Sequence, residues 1–472
     1  MTPLAWSVVA YLAVSVAVGL YAARRVHGAR DYAVAGRALP LPVVVATVFA
    51  TWFGAETVLG VSATFVKHGL GALAGDPFGA SIALLLVALL FAARLYRLNL
   101  VTIGDYFRGR YDRRAEVGLT VAIVTGYLGW TAAQFAALGL VFHVVSDGAI
   151  PVPAGMALGA LVVLVYTLAG GMWSVALTDF VQMIVIVAGM LFIAWTAAAL
   201  AGGFDVVVAR AMASGKLAVG APASAREALA VLAAMAPLAL GSIPQQDTWQ
   251  RIVSAKDERT AVRGAAAGGI LYFALALVPM FIAYAALVID PQATARHLEA
   301  DPQLVLPRLV LDHMPLAAQI VFFGALLSAI MSSASGALLA PSVAFTENVI
   351  RPFARRMGDR QLLWATRATV AGFAMLVLAI ALASDATIYE MVEQAYKVTL
   401  VAAFVPLVAG LYWRRATARG AVAAGAAGTL VWIACEVLAP EAALPPVLAG
   451  LAASAAGMVL GSLSQRARGH RG

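Results

Sequence analysis

The chain has 472 residues, 62% of them hydrophobic and only 12% charged, with a mean hydropathy of +0.89. Soluble proteins carry about 25% charged residues, so this composition excludes an ordinary soluble domain and indicates a polytopic helical membrane protein. The net charge of +8 follows from loop topology and not from a nucleic-acid partner, while the single cysteine, Cys435, excludes an intrachain disulfide and any multi-cysteine metal site.

Taken in order, thirteen apolar segments are expected: 4–23, 40–66, 78–97, 115–144, 149–169, 174–203, 226–249, 264–289, 315–345, 363–383, 387–412, 417–438 and 444–464. No cationic region precedes the first, and the first charged side chain is Arg24, which fits a retained helix and not a cleaved signal peptide. Thirteen crossings gather the basic loops on one side. These carry Arg24, Arg25, Arg30 and Arg37; Arg94, Arg97, Arg108, Arg110, Arg113 and Arg114; and Arg251, Lys256, Arg259 and Arg263. Arg351, Arg355, Arg356, Arg360 and Arg367 follow, then Arg414, Arg415 and Arg419, then Arg466, Arg468 and Arg471. The opposite loops hold Asp147, Asp205, Asp290, Glu299, Asp301, Asp312, Asp385, Glu436 and Glu441, with a minority of basic residues, Lys67, Arg210, Lys216, Arg226, Arg296 and Arg308. The positive-inside rule then places the N-terminus outside and the C-terminus in the cytoplasm. The alanine-rich composition suggests a bacterial inner membrane.

Two segments are poor regular helices. The second contains Ala50-Thr51-Trp52-Phe53-Gly54-Ala55-Glu56-Thr57, with a glycine and a carboxylate at mid-depth. The seventh contains Gly241-Ser242-Ile243-Pro244-Gln245-Gln246-Asp247, where proline removes a backbone donor. They stand five segments apart, as do the first members of two five-helix repeats. Matching breaks of this kind point to a transporter's midplane site. The ninth segment carries small hydroxyl residues at Phe323–Phe345, and Ser332 and Ser333 follow Ala329 by three and four positions. On a helix those offsets share a face, so the Ala329 carbonyl and two hydroxyls can converge on a monovalent cation such as sodium. The same pattern also serves close helix packing.

Other polar residues in apolar runs extend the candidate site. Asp179 is a carboxylate where burial is costly. Trp52 and Trp130 offer aromatic faces to a cationic or apolar group, and Gln134, Gln245 and Gln246 offer hydrogen bonds to a polar one. Glu56 can pair with a substrate ammonium, a second cation or a proton. Lys397 can hold a substrate carboxylate or pair with Glu56 or Glu393. Asp76, ahead of Pro77, reads as a helix N-cap, and Asp247, Arg251 and Asp257 as parts of a cytoplasmic gate and loop.

Several of these pieces occur together in one family. Gly36-Arg37, ATWFGAE at Ala50–Glu56, YTLAGGMWSVALTDFVQ at Tyr166–Gln182, PQQDTWQR at Pro244–Arg251 and SAIMSSASGALL at Ser328–Leu339 resemble the sodium/solute symporter family over Gly36 to Trp413. These motifs are most similar to those of its high-affinity choline transporter branch. Gln245, Ala80 and Ser335 depart from that branch, which weakens an aromatic cage for choline itself. The resemblance implies an all-α protein with a LeuT-type core of five plus five helices in inverted repeat. One helix precedes that core and two follow: 1–36 as the extra helix and loop, 37–413 as the core, and 414–472 as two helices with a short tail. It further implies a sodium site formed by the carbonyls of Ala50, Phe53 and Ala329 and the hydroxyls of Ser332 and Ser333, with Asp179 close by.

The expected function is therefore sodium-coupled symport of a small organic solute of the amine, amino acid or carboxylate class, with lipid as the surrounding partner. Proton coupling through Glu56 or Asp179 is the alternative. A channel fits less well because it needs no paired broken helices. A sensor fits less well because the short tail leaves no room for a signalling domain. No enzyme is expected, since no catalytic constellation is present. The oligomeric state stays open.

Overall fold

An apolar segment in lipid must satisfy its own backbone polar groups, which makes a helix the natural form for every span. The computed structural model describes residues 2–354 and 357–469, with backbone alone for 465–469. Among the described residues every regular element is helical apart from one isolated bridge, Leu39 to Ala255. Arg355, Arg356 and Arg471, and the side chains of Arg466 and Arg468, lie outside the described residues.

The spans begin with α1 (Pro3–Ala22), the bent pair α2 (Leu41–Trp52) and α3 (Glu56–His68), α4 (Ala74–Arg97) and α5 (Arg113–Val145). They continue with α6 (Val152–Leu200), the bent pair α7 (Ala225–Gly241) and α8 (Gln246–Ser254), and α9 (Glu258–Ile289). The chain then forms α10 (Leu316–Ile350), α11 (Asp359–Ala383), α12 (Ile388–Tyr412), α13 (Ala418–Leu438) and α14 (Pro446–Ser464). Polar residues cap several ends: Thr2 accepts from the Ala5 N–H, Asp112 from Ala115, Asp257 from Thr260 and Thr417 from Gly420.

Both anticipated breaks are present, with α2 and α3 at 55° and α7 and α8 at 41°. The fifth and sixth segments follow each other without an intervening loop, as two helices joined across a kink at Gly171 and spanning 49 residues together. At 1.5 Å per residue that is about 74 Å of helix, against a hydrocarbon core of about 30 Å. At Gly171 the φ of 50° and ψ of −133° are not helical. The Tyr32 carbonyl occupies the space that a Cβ on this glycine would need. Counting each bent pair as one span gives up to twelve spans among the described residues.

Burial places α10 at the centre. All its residues from Ala325 to Ala344 are buried, which is how a helix apolar on every side reads when other helices surround it. Small residues let α6 approach it: a Cβ on Gly189 would stand 2.8 Å from the Ala325 Cβ. Tyr166 of α6 also donates to the Met331 carbonyl at 3.1 Å. α1 and α13 lie at the periphery and expose Trp6, Tyr21, Leu430 and Val437.

Candidate functional site

The break after Trp52 turns backbone oxygens away from their own helix. In an unbroken helix the Thr51 carbonyl would accept from the Ala55 N–H. Here that N–H donates to Gln134 Oε1 at 3.2 Å. The freed Thr51 carbonyl accepts instead from the Ser333 hydroxyl at 3.0 Å. The Ala50 carbonyl accepts from Ser332 at 2.9 Å and Ser333 at 3.3 Å, and Ser332 also reaches the Ala329 carbonyl at 2.9 Å. Three carbonyls and two hydroxyls of α2 and α10 thus form one fully buried group of neutral oxygens. The sequence reading leaves out Thr51. Among the described residues no hydrogen bond joins either serine to the Phe53 carbonyl, although Phe53 sits in the break with non-helical φ −89° and ψ 78°.

Asp179 lies one turn further toward the start of α2, where Thr47 donates to its Oδ2 at 2.5 Å. It is wholly buried, two turns past the kink at Gly171 in α6. Its Oδ1 has no hydrogen-bond partner among the described residues.

On the other side of the break, side chains form a closed circuit. Glu56 accepts from the Trp130 indole N–H at 3.2 Å and from the Gln134 amide at 2.8 Å. Trp130 packs on Tyr396 with ring centroids 5.9 Å apart, and Tyr396 stacks on Trp52 at 6.2 Å with planes 14° apart. Trp52 meets Tyr272 edge-on at 6.4 Å. Tyr272 donates to Asp76 Oδ1, and Thr57 donates to Asp76 Oδ2 at 3.2 Å, which returns the circuit to the neighbour of Glu56. The circuit and the oxygen group abut. Glu56 Oε2 and Ser333 Oγ each stand 2.6 Å from the position a Cβ on Gly54 would take.

Several predicted residues lie elsewhere. Lys397 pairs with Glu393, one turn before it, at 3.2 Å and not with Glu56. Gln246 accepts from the Ile103 N–H at 2.9 Å, which commits it to the loop ahead of α5. Gln245 stays in the break after α7, its amide 3.4 Å from the Thr399 hydroxyl and its Oε1 buried without a partner among the described residues. Asp76 makes no helix cap; its carboxylate is buried in the circuit. Asp247 is held by the Tyr127 hydroxyl, Arg251 is buried against Gly336 of α10, and Asp257 caps α9. Sequence reasoning misses Tyr396, Tyr272 and Asp76 as site residues; the available signal is that Tyr272 and Asp76 are polar within apolar runs, and Tyr396 carries none.

With this geometry in place, comparison with known proteins decides the family. A family model described as "Sodium:solute symporter family" matches residues 32–428. The chain belongs to the sodium:solute symporter family. Its members are transporters, so this symporter is a multi-pass membrane transporter and not an enzyme. The chain is 30% identical to the human "High affinity choline transporter 1" over 424 residues, 85% of this chain and 70% of that one. It is 27% identical to the "Osmoregulated proline transporter OpuE" of Bacillus subtilis, over 97% of this chain and 94% of that one. It also superposes on a Na+-coupled sialic acid symporter in a substrate-bound outward-open state. That match has a TM-score of 0.83 at 18% identity, covering 98% of this chain and 97% of that one. The structural likenesses show the fold, the LeuT type expected from the motifs.

Proposed function

We propose that this symporter couples sodium to the import of a small organic solute by alternating access. The observation that carries the reading is the meeting of the freed α2 carbonyls with the two α10 hydroxyls. Neutral oxygens suit a hard monovalent ion, because one positive charge held by several carbonyl dipoles needs no carboxylate in contact. In this reading Ala50, Thr51, Phe53, Ala329, Ser332 and Ser333 supply oxygens, and Asp179 supplies negative charge nearby. Sodium entering from outside bridges α2 and α10 and favours the outward-open state. The solute then occupies the circuit of Trp52, Glu56, Trp130 and Tyr396, with Gln134 and Gln245 at its edge, before the outer side closes and the inner side opens. The relatives named for choline and proline set its size class.

The driving force suffices. One charge crossing 100 mV contributes about 2.3 kcal/mol, and a tenfold sodium gradient adds about 1.4 kcal/mol. Together these sustain a solute gradient of roughly several hundred-fold for one sodium. In proteoliposomes, Ser332→Ala is expected to raise the sodium concentration for half-maximal choline or proline uptake at least about tenfold, since it loses an oxygen worth about 1.4 kcal/mol. Unchanged sodium dependence in a well-folded Ser332→Ala protein overturns the site.

A second reading, proton coupling through Asp179 or Glu56, draws on the unpartnered Asp179 Oδ1. Uptake that survives replacement of sodium but collapses with an uncoupler would select it. The reading also includes thirteen crossings, with α6 crossing twice about Gly171, the N-terminus outside and the C-terminus in the cytoplasm. Residues 37–413 then form the transport core of a bacterial inner-membrane protein.

A further inference from the structure

Resting on the symport reading above, we propose that Glu56 and Asp76 select a protonated amine that still carries N–H bonds. A fully alkylated ammonium of similar size is discriminated against. The two carboxylates stand at opposite ends of one aromatic face: Glu56 beside Trp130, Asp76 beside Tyr272, with Trp52 and Tyr396 between them. Both are almost completely buried, at 5% and 3% exposure. The groups that hold them are neutral: an indole, a side-chain amide, a phenol and a hydroxyl. The nearest lysine on α12, Lys397, is engaged with Glu393.

Two consequences follow. A buried carboxylate stays charged only at a cost of several kcal/mol unless a positive charge faces it, and a bound cation at this face supplies that charge. Aromatic faces beside it add cation–π attraction. The second consequence concerns hydrogen bonding and separates one cation from another. Each carboxylate oxygen in the circuit receives one side-chain hydrogen bond, and a carboxylate has about four acceptor positions in all. Acceptor positions therefore remain on both Asp76 oxygens, and the buried Gln245 Oε1 adds another. An ammonium with N–H bonds fills such positions. A quaternary ammonium leaves them buried and unpaired, at a cost of about 1–3 kcal/mol each. Sites built to bond a donor reject analogues that lack it far more strongly than apolar pockets reject a methyl group. The carboxylate of Glu56 also faces Ser333 across Gly54, so the amine and the ion pocket share one negative charge.

The test is a methylation series on one skeleton: ethanolamine, N-methylethanolamine, N,N-dimethylethanolamine and choline. Apparent affinities come from thermal stabilisation of the purified full chain in saturating sodium, for wild type, Glu56→Gln and Asp76→Asn. Wild type is expected to lose at least about tenfold in affinity between dimethylethanolamine and choline, equivalent to about 1.4 kcal/mol. In the variants that step shrinks severalfold. Choline binding as tightly as the N–H members, or a well-folded variant keeping the full step, overturns the proposal. Absence of any shift from the series also overturns it. Stabilisation by glucose alone, still sodium-dependent, removes the amine class but leaves symport standing. Amine binding indifferent to sodium does the reverse. Should both variants fail to fold, the wild-type series decides.

Discussion

Glu56 brings the aromatic circuit up to the Ser333 hydroxyl of the oxygen group, and Gly54 is what permits the approach. A methyl group on Gly54 would stand 2.6 Å from both Glu56 Oε2 and Ser333 Oγ, closer than real Cβ contacts allow. Gly54→Ala is therefore expected to push carboxylate and serine apart and weaken sodium and solute together, each by about tenfold or more, or about 1.4 kcal/mol. Titration of sodium-induced thermal stabilisation checks this, and an unaltered midpoint would show that the two groups do not act on each other. At this scale the sequence announces one side of every contact. Glu56 stands out as a carboxylate in an apolar run, and Trp130 and Gln134 lie one helical turn apart, which fits their shared grip on it. The partners Tyr396, Tyr272 and Asp76 come from distant segments, and hydropathy says nothing about which helices become neighbours. Thr51 is hidden for a related reason. Its carbonyl is freed only because Gln134 takes the Ala55 N–H, an exchange that no single-helix pattern encodes.

Among the elements, the breaks are legible, and so is the joint in α6, since Gly171 falls between the expected fifth and sixth segments. Glycine two residues before a mid-depth glutamate marks α2–α3, and Gly241 and Ser242 just ahead of Pro244 mark α7–α8. Each fixes a place where the backbone ladder cannot continue. Gly170-Gly171 lies in the gap between the expected segments 149–169 and 174–203. The structure ends one helix and begins the next at Gly171, with no loop beside it. Gly171→Ala adds a Cβ against the Tyr32 carbonyl in a conformation that suits glycine. Such backbone strain costs about 1–3 kcal/mol, and the melting temperature is expected to drop by several degrees with solute selectivity unchanged. A melting temperature equal to wild type would mean that the α6 kink tolerates a side chain.

For the whole molecule, composition and periodicity convey the fold class, and motif order conveys the family. Orientation rests on the distribution of arginines, so it calls for a direct measurement. With Cys435→Ser as background, a cysteine at Ala221 is expected to react with an impermeant maleimide on intact cells. One at Gly109 is expected to react only after permeabilisation. Both positions are exposed, so access to the reagent is decided by the membrane alone. Equal labelling of the two would place them on one side and dissolve the thirteen-crossing scheme.

The Leu39–Ala255 bridge has a mechanical meaning for such a machine. Leu39 donates to the Ser254 carbonyl and Lys256 to the Leu39 carbonyl, both at 3.0 Å, stitching the start of α2 to the end of α8. The two kinked rods are thereby yoked at one end like the arms of a lever. Torque on either is delivered to both, and spin labels on Ala38 and Lys256 would hold a fixed spacing while the pair swings past α10.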